Sequence, residues 1–281
     1  MSCKNENRTP VEVSKVDVFK PSQLLETFKY RSKNTPIISV HRGGKGLRFF
    51  PENCLETLKY INDSITAIYE IDVAKTKDNI LVLLHDNTLN RTSTGDGKLE
   101  NYTYEELQAF NLKDDFGNIT KYKIPLFKST LQWAKENNVV LTVDIKRGVA
   151  IEQVVELIKA EKAEDNAIII TYDLKQAERA NAVAPELLLS VSARNNQEVE
   201  WLLHSGIPTQ NMLAFTGTRL SPDSLYSKIH GYGIKTILGT LGNLDKQAAK
   251  KGDTLYKIWV KKGIDVIATD RPFAVANAIN D

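Results

Sequence analysis

The chain has 281 residues and sets 37 Lys+Arg against 35 Asp+Glu, a formal charge of +2. Phosphate-backbone affinity needs a concentrated cationic excess, so a nucleic-acid binder is excluded, and no apolar run approaches the ~20 residues of a membrane span. Two cysteines, Cys3 and Cys54, supply neither a disulfide framework nor a thiolate zinc site, and four histidines leave little room for histidine-rich metal chemistry.

Residues 1–30 are polar and weakly periodic, with Pro10 and Pro21, and are expected as an arm ahead of one domain over 31–281. The rest alternates. Short β-branched runs lie at 37–41, 67–73, 140–145, 167–171, 187–191, 212–215, 234–238 and 265–269. Amphipathic stretches fall at 54–63, 130–137, 151–159, 175–183, 196–204, 221–230, 245–261 and 273–279. Eight such alternations predict an α/β fold, a closed parallel (β/α)8 TIM barrel. The competing open doubly wound sheet usually carries fewer strands and a Gly-rich nucleotide turn, and no such turn follows any strand here.

A ninth apolar run, 80–85, follows Thr76 too closely for a parallel crossover, which needs about a dozen residues. It is therefore expected as an antiparallel hairpin turning at Lys77-Asp78-Asn79 and returning His85 beside Ile71 and Asp72. The segment at about 77–124 becomes an insertion after strand two, on the face where barrel active sites lie.

Charge gathers at the strand ends. Strand one ends in His41-Arg42-Gly43-Gly44, with the glycines suited to close backbone approach to a ligand. Strand two carries Glu70 and Asp72, and strand three Asp144 and Lys146, each an i, i+2 pair on one face. The hairpin adds His85-Asp86. Carboxylates about 4 Å apart repel by ~4 kcal/mol per pair at an effective dielectric near 20, so Glu70, Asp72 and Asp144 need a cation or protonation. Oxygen ligands without His or Cys favour Mg²⁺ or Ca²⁺ over zinc. Two imidazoles beside such an ion, with Arg42 and Lys146 as anion clamps, suit a small-molecule phosphodiester. One imidazole takes a proton from the nucleophile and the other gives one to the leaving alkoxide.

These residues, with Pro51-Glu52-Asn53, the run HDNTLNRTSTGDG at 85–97, Ile124-Pro125-Leu126 and GIDVIATDRP at 263–272, resemble the glycerophosphodiester phosphodiesterases. The likeness covers roughly residues 36–276, and the motifs in series are far more specific than any one alone. It implies a divalent-cation barrel enzyme releasing glycerol 3-phosphate and an alcohol, with His41 and His85 as acid/base pair. It also implies Glu70 and Asp72 as metal ligands and Arg42 and Lys146 on the phosphate. The family's relationship to phosphatidylinositol-specific phospholipase C suggests attack by the glycerol 2-hydroxyl through a cyclic phosphate; direct attack by water would use the same residues.

Two departures stand out. The third carboxylate, usually Glu, is Asp144. Gly239-Thr240-Leu241-Gly242-Asn243 stands where many members carry Trp ahead of T-V-N, which makes Tyr172 and Phe215 candidate substitutes in the substrate pocket. Blander readings apply elsewhere. Glu52 is as consistent with a first-turn helix acid as with a site role. Asp86 and Arg91 read as structural, His204 and His230 as helix-end or surface residues, Asp270-Arg271-Pro272 as a closing turn, and the basic run 246–262 as a solvated helix face.

Met1-Ser2-Cys3 has no hydrophobic signal, which by itself predicts a cytoplasmic protein. A small residue before Cys3 and a polar arm after it also resembles a processed lipoprotein, with a lipid anchor at Cys3 and a place in the cell envelope. An ordinary chain start fits equally well. Other functions consistent with the composition are a phosphodiesterase acting on a lysophospholipid or non-glycerol diester, and a non-catalytic phosphodiester-binding protein. A metal amidohydrolase would need more histidines at the strand ends.

Overall fold

A computed structural model describes residues 21–32 and 35–280, so the expectation for Cys3 lies outside the described residues. The strands, in chain order, are β1 (Ile37–Val40), β2 (Ile68–Lys75), β3 (Leu81–Leu83), β4 (Leu141–Ile145), β5 (Ala167–Ile170), β6 (Leu188–Ser192), β7 (Met212–Phe215), β8 (Lys235–Gly239) and β9 (Val266–Thr269). All except β3 run parallel in one sheet, and the β1–β2 pairing closes it into the eight-stranded barrel. The helices are α1 (Leu24–Thr27), α2 (Leu55–Asn62), α3 (Tyr104–Leu107), α4 (Phe127–Glu136), α5 (Ile151–Ala160), α6 (Leu174–Val183), α7 (Asn196–Leu203), α8 (Asp223–Gly231), α9 (Asn243–Lys251), α10 (Thr254–Lys261) and α11 (Pro272–Asn280). Among the described residues, no helix is long and apolar enough to cross a membrane.

Beyond shifts of one or two residues at element ends, two differences from the sequence expectation stand out. The stretch 245–261 is two helices, because the chain turns at Gly252 with φ +114° before α10 begins. Apolar spacing continues across the break and hides it from a periodicity argument. The helix expected from residue 130 already starts at Phe127, which is fully buried.

β2 is the longest strand; one edge pairs with β4 over residues 69–73, and the other is shared between β1 and β3. Its start pairs with β1, which stops at Val40 opposite Tyr69; beyond that point β3 takes the vacated edge, with Val73 opposite Leu83. Leu84 then donates to Asp72 O at 3.0 Å, which returns His85 beside Ile71. The insertion carries its own small core of Leu89, Leu99, Leu107, Leu112 and Ile124, packed under Val82 and Leu84.

The barrel interior follows from pleat and register. Residues two apart on a strand share a face, and parallel neighbours are offset, so alternate strands contribute to each layer. Ile68, Ile168, Leu213 and Val266 form one apolar layer, and Leu24, Leu25 and Phe28 plug it from below. Thus residues 21–30 of the expected arm close the barrel base: Ser22 N donates to Glu186 O, and Tyr30 N to Gly233 O. The next layer up holds Ser39, Thr142, Ser190 and Ile237, each in register with the apolar layer on one side and with Glu70, Ile170, Phe215 or Ala268 on the other. Polarity therefore rises steeply toward the C-terminal rim.

Candidate active site

A cavity of about 210 Å³ opens at that rim and is lined by His41, Glu70, Asp72, His85, Asp144, Lys146, Tyr172 and Phe215, among others. Ligand-capable oxygens of Glu70, Asp72 and Asp144 all lie within 4.8 Å of one another. Lys146 Nζ is the cation set between two of them, 2.6 Å from Asp72 Oδ1 and 2.8 Å from Asp144 Oδ2. Three carboxylates against one ammonium leave the cluster short of positive charge. Burial, then the Asp72 charge, pushes the Glu70 carboxyl well above its ordinary range. Burial would also raise Asp72, but Lys146 and the Asn53 amide outweigh it and hold that carboxylate low. Asp144 Oδ1 is buried with no hydrogen-bond partner. An orphaned carboxylate oxygen beside two more carboxylates fits a hard divalent cation, since the three candidate ligands are all carboxylate oxygens.

Each histidine is fixed by a carboxylate at Nδ1. His41 Nδ1 is 2.6 Å from Asp270 Oδ1, and His85 Nδ1 is 2.7 Å from Asp86 Oδ1. A carboxylate accepts, so both rings carry Nδ1–H and turn Nε2 away from the acid. Arg42 Nη2 lies 2.7 Å from His85 Nε2. A guanidinium can only donate, which makes that nitrogen an unprotonated acceptor and His85 a neutral imidazole in this arrangement.

Arg42 itself sits at φ 52°, ψ 33°, an uncommon left-handed conformation for a side-chain-bearing residue. Its N–H donates to Glu70 Oε2 at 2.6 Å and Nη1 contacts Glu52 at 3.1 Å. Glu52 is buried and also accepts from Arg91, which holds Asp86 in turn. The two arginines bring its carboxyl below the ordinary range despite burial. Glu52 thus faces the arginines rather than the carboxylate triad. Arg42 reaches the histidine side of the rim and does not line the cavity, whereas Lys146 does.

The glycines after Arg42 have a packing role. A Cβ at Gly43 would stand 2.4 Å from Leu58 Cδ1, and one at Gly44 2.6 Å from Ile61 Cδ1, both on α2. The absent Trp is also explained. A Cβ at Gly239 would meet Thr218 at 3.0 Å, Phe215 at 3.3 Å and Leu241 at 3.4 Å, so those side chains already occupy the space. Phe215 supplies the aromatic wall there, and Tyr172 lines the cavity from the β5 side.

Residues 41–213 match the glycerophosphoryl diester phosphodiesterase family. The chain belongs to that family. A glycerophosphoryl diester phosphodiesterase from Parabacteroides distasonis has a crystal structure with TM-score 0.87 and 34% identity, covering 92% of this chain and 90% of that one. A curated glycerophosphodiester phosphodiesterase from Caldanaerobacter subterraneus subsp. tengcongensis is 23% identical over 86% of this chain and 97% of its own length. A phosphodiesterase from Oleispira antarctica, solved with its product sn-glycerol-3-phosphate, shares the fold with TM-score 0.73 at 22% identity, covering 92% of this chain and 99% of that one.

For this family member, sequence reasoning missed three positioning residues. Asp270 was read as a closing turn, but it holds His41. Asp86 was read as structural, but it holds His85. Asn53 clamps Asp72 twice: its amide donates to Asp72 Oδ2 at 2.6 Å and its carbonyl oxygen accepts from Asp72 N at 2.9 Å. It adopts a left-handed φ of 51°, a conformation that Asn tolerates better than most residues; its place in Pro51-Glu52-Asn53 was the sequence signal. His204 is an exposed helix-end residue as expected. His230 is not a surface residue; it stacks on Tyr30 at 3.7 Å and pairs with Asp265 at 2.8 Å.

Proposed function

We propose that the chain hydrolyses glycerophosphodiesters to glycerol 3-phosphate and an alcohol at this rim. The observation that carries the reading is the pair of carboxylate-anchored imidazoles, His41 and His85, lining one cavity with the Glu70–Asp72–Asp144 cluster. The product proposed is the one bound in the Oleispira antarctica relative.

Glu70, Asp72 and Asp144 would hold Mg²⁺ or Ca²⁺, which supplies charge neutralisation at the phosphate oxygens. Lys146, and Arg42 from the histidine side, engage the phosphate as cationic donors. One imidazole takes at Nε2 the proton of the attacking group, either water itself or the glycerol 2-hydroxyl with water then opening the cyclic phosphate, and the other delivers a proton to the leaving alkoxide as its P–O bond breaks. Asp270 and Asp86 keep the two rings in the tautomer that presents Nε2. Phe215 and Tyr172 wall the substrate, and Glu52 acts by orienting Arg42.

A diester panel tests this. Glycerophosphocholine and glycerophosphoethanolamine should release glycerol 3-phosphate, read by a coupled dehydrogenase. Release of none from any member of the panel contradicts the proposal.

A further inference from the structure

The three most exposed large hydrophobic side chains among the described residues are Ile119 at 63%, and Phe49 and Phe116 at 56% each. They gather on two tight turns. Phe116 and Ile119 sit on the insertion, and Phe49 lies in the turn that follows His41-Arg42-Gly43-Gly44. The Arg48 guanidinium joins the two rings, 4.9 Å from the centre of Phe116 and 6.0 Å from that of Phe49. One buried carboxylate fixes both turns. Asp114 Oδ2 accepts from Phe49 N at 2.6 Å, and its Oδ1 accepts from Phe116 N at 2.9 Å and Asn118 N at 2.8 Å.

Phe49 holds a left-handed φ of 66°, an outlier for a bulky side chain. Such strain persists where the surroundings over-determine it, and it points to a use for the residue. Here it presents the ring to solvent, where the ring adds little burial to the fold. Charge accompanies the apolar tips. Segments 45–50 and 113–123 carry Lys45, Arg48, Lys113, Lys121 and Lys123 against Asp114 and Asp115. Both acids are engaged within the turns, Asp114 as above and Asp115 by accepting from Gly46 N. Lys45 is close enough to Asp270 for its charge to act on that carboxyl, so the patch borders the rim that carries His41.

The three tips expose roughly 300 Å², taking about 200 Å² for a whole aromatic side chain, well below the ~800 Å² per partner of a stable protein interface. Apolar tips ringed by Lys and Arg suit instead the headgroup–acyl boundary of an anionic bilayer, where the tips enter and the cations meet lipid phosphates. We propose that Phe49, Phe116 and Ile119, with Arg48 and the neighbouring lysines, form a docking surface for membranes of anionic phospholipid. Docking sets the mouth of the cavity beside the lipid surface. The proposal goes beyond the hydrolase reading and does not depend on it, because none of these residues lines the cavity.

Co-sedimentation of the full chain with vesicles tests this. Mixed phosphatidylglycerol–phosphatidylcholine vesicles should bind the wild type, and pure phosphatidylcholine vesicles should bind it several-fold more weakly. Phe49→Asn, Phe116→Ser and Ile119→Ser should each lower partitioning onto the anionic vesicles by about 3- to 10-fold, the worth of half an apolar side chain. Arg48→Gln should lower it about fivefold, the worth of one cation near an anionic surface, and added salt should weaken wild-type binding in the same direction. The melting temperature of Phe49→Asn should hold or rise, since Asn accepts the left-handed backbone; a marked fall assigns the ring to the fold and overturns the proposal. No binding to anionic vesicles, equal binding to both vesicle types, or equal binding by wild type and all four variants also overturns it. So does a wild-type dimer on gel filtration that the variants dissociate, which assigns the patch to a second copy of the chain.

Discussion

His41 Nδ1 and Asp270 Oδ1 stand 2.6 Å apart and join the end of the first barrel strand to the end of the last. The bond closes the active rim across the same seam where β1 pairs with β9. Burial alone would raise the Asp270 carboxyl, but the His41 hydrogen bond and charge outweigh it and keep it below its ordinary value. Asp270 is thus held as an acceptor for the ring, and that fixes the orientation of the imidazole.

Asp270→Asn tests this relationship. The amide can offer its NH2 to Nδ1 and favour the wrong tautomer, so kcat should fall about 10- to 100-fold. KM and circular dichroism should stay close to wild type. A fall in KM affinity with kcat preserved would assign Asp270 to binding instead.

On the proposed mechanism, His41→Ala and His85→Ala each remove a proton-transfer group, and activity should fall about 10²- to 10⁴-fold. Both variants should remain folded by thermal melting. A loss under tenfold in steady-state turnover counts against the residue concerned.

If Glu70 holds the proposed cation, metal binding and stability are linked through it. Its folded pKa is raised by burial and by Asp72, above the ordinary 4.5. A raised pKa means that the stability it contributes is complete below the ordinary carboxylate range and is lost as pH rises through the folded value. Chelated wild type should therefore lose stability relative to Glu70→Gln as pH rises above the ordinary carboxylate range in urea titrations. Adding Mg²⁺ or Ca²⁺ at a hundredfold excess over Kd should restore about 2.7 kcal/mol to wild type and little to the variant. A constant gap between the two proteins as pH rises above that range would contradict the assignment.

Gly43→Ala tests the seat of the histidine-bearing turn. The added Cβ would lie 2.4 Å from Leu58 Cδ1, at φ +64°, against a fully buried side chain. Strain and clash together should cost about 2 kcal/mol, a fall of roughly 4–8 °C in Tm. Activity should drop as well, because Arg42 and His41 immediately precede the turn.

Much of this site was legible in the sequence, for a physical reason. Strand residues two apart share a face, so Glu70 with Asp72 and Asp144 with Lys146 announced inward charge before any coordinates. The short Thr76–Ile80 spacing forced a hairpin and brought His85 to Asp72. Asp270 was hidden because it lies 229 residues from His41 and stands before Arg271-Pro272, a local pattern that reads as a turn. The break between α9 and α10 was hidden because one glycine interrupts an apolar spacing that otherwise continues. The roles of Gly43, Gly44 and Gly239 depend on Leu58, Ile61 and Phe215, contacts that no local window contains.

The most direct measurement is turnover of glycerophosphocholine by protein stripped with EDTA and then reloaded. The account predicts no glycerol 3-phosphate from the stripped wild type, recovery on adding Mg²⁺ or Ca²⁺, and no recovery in Asp72→Asn. Full turnover in the presence of chelator would contradict it.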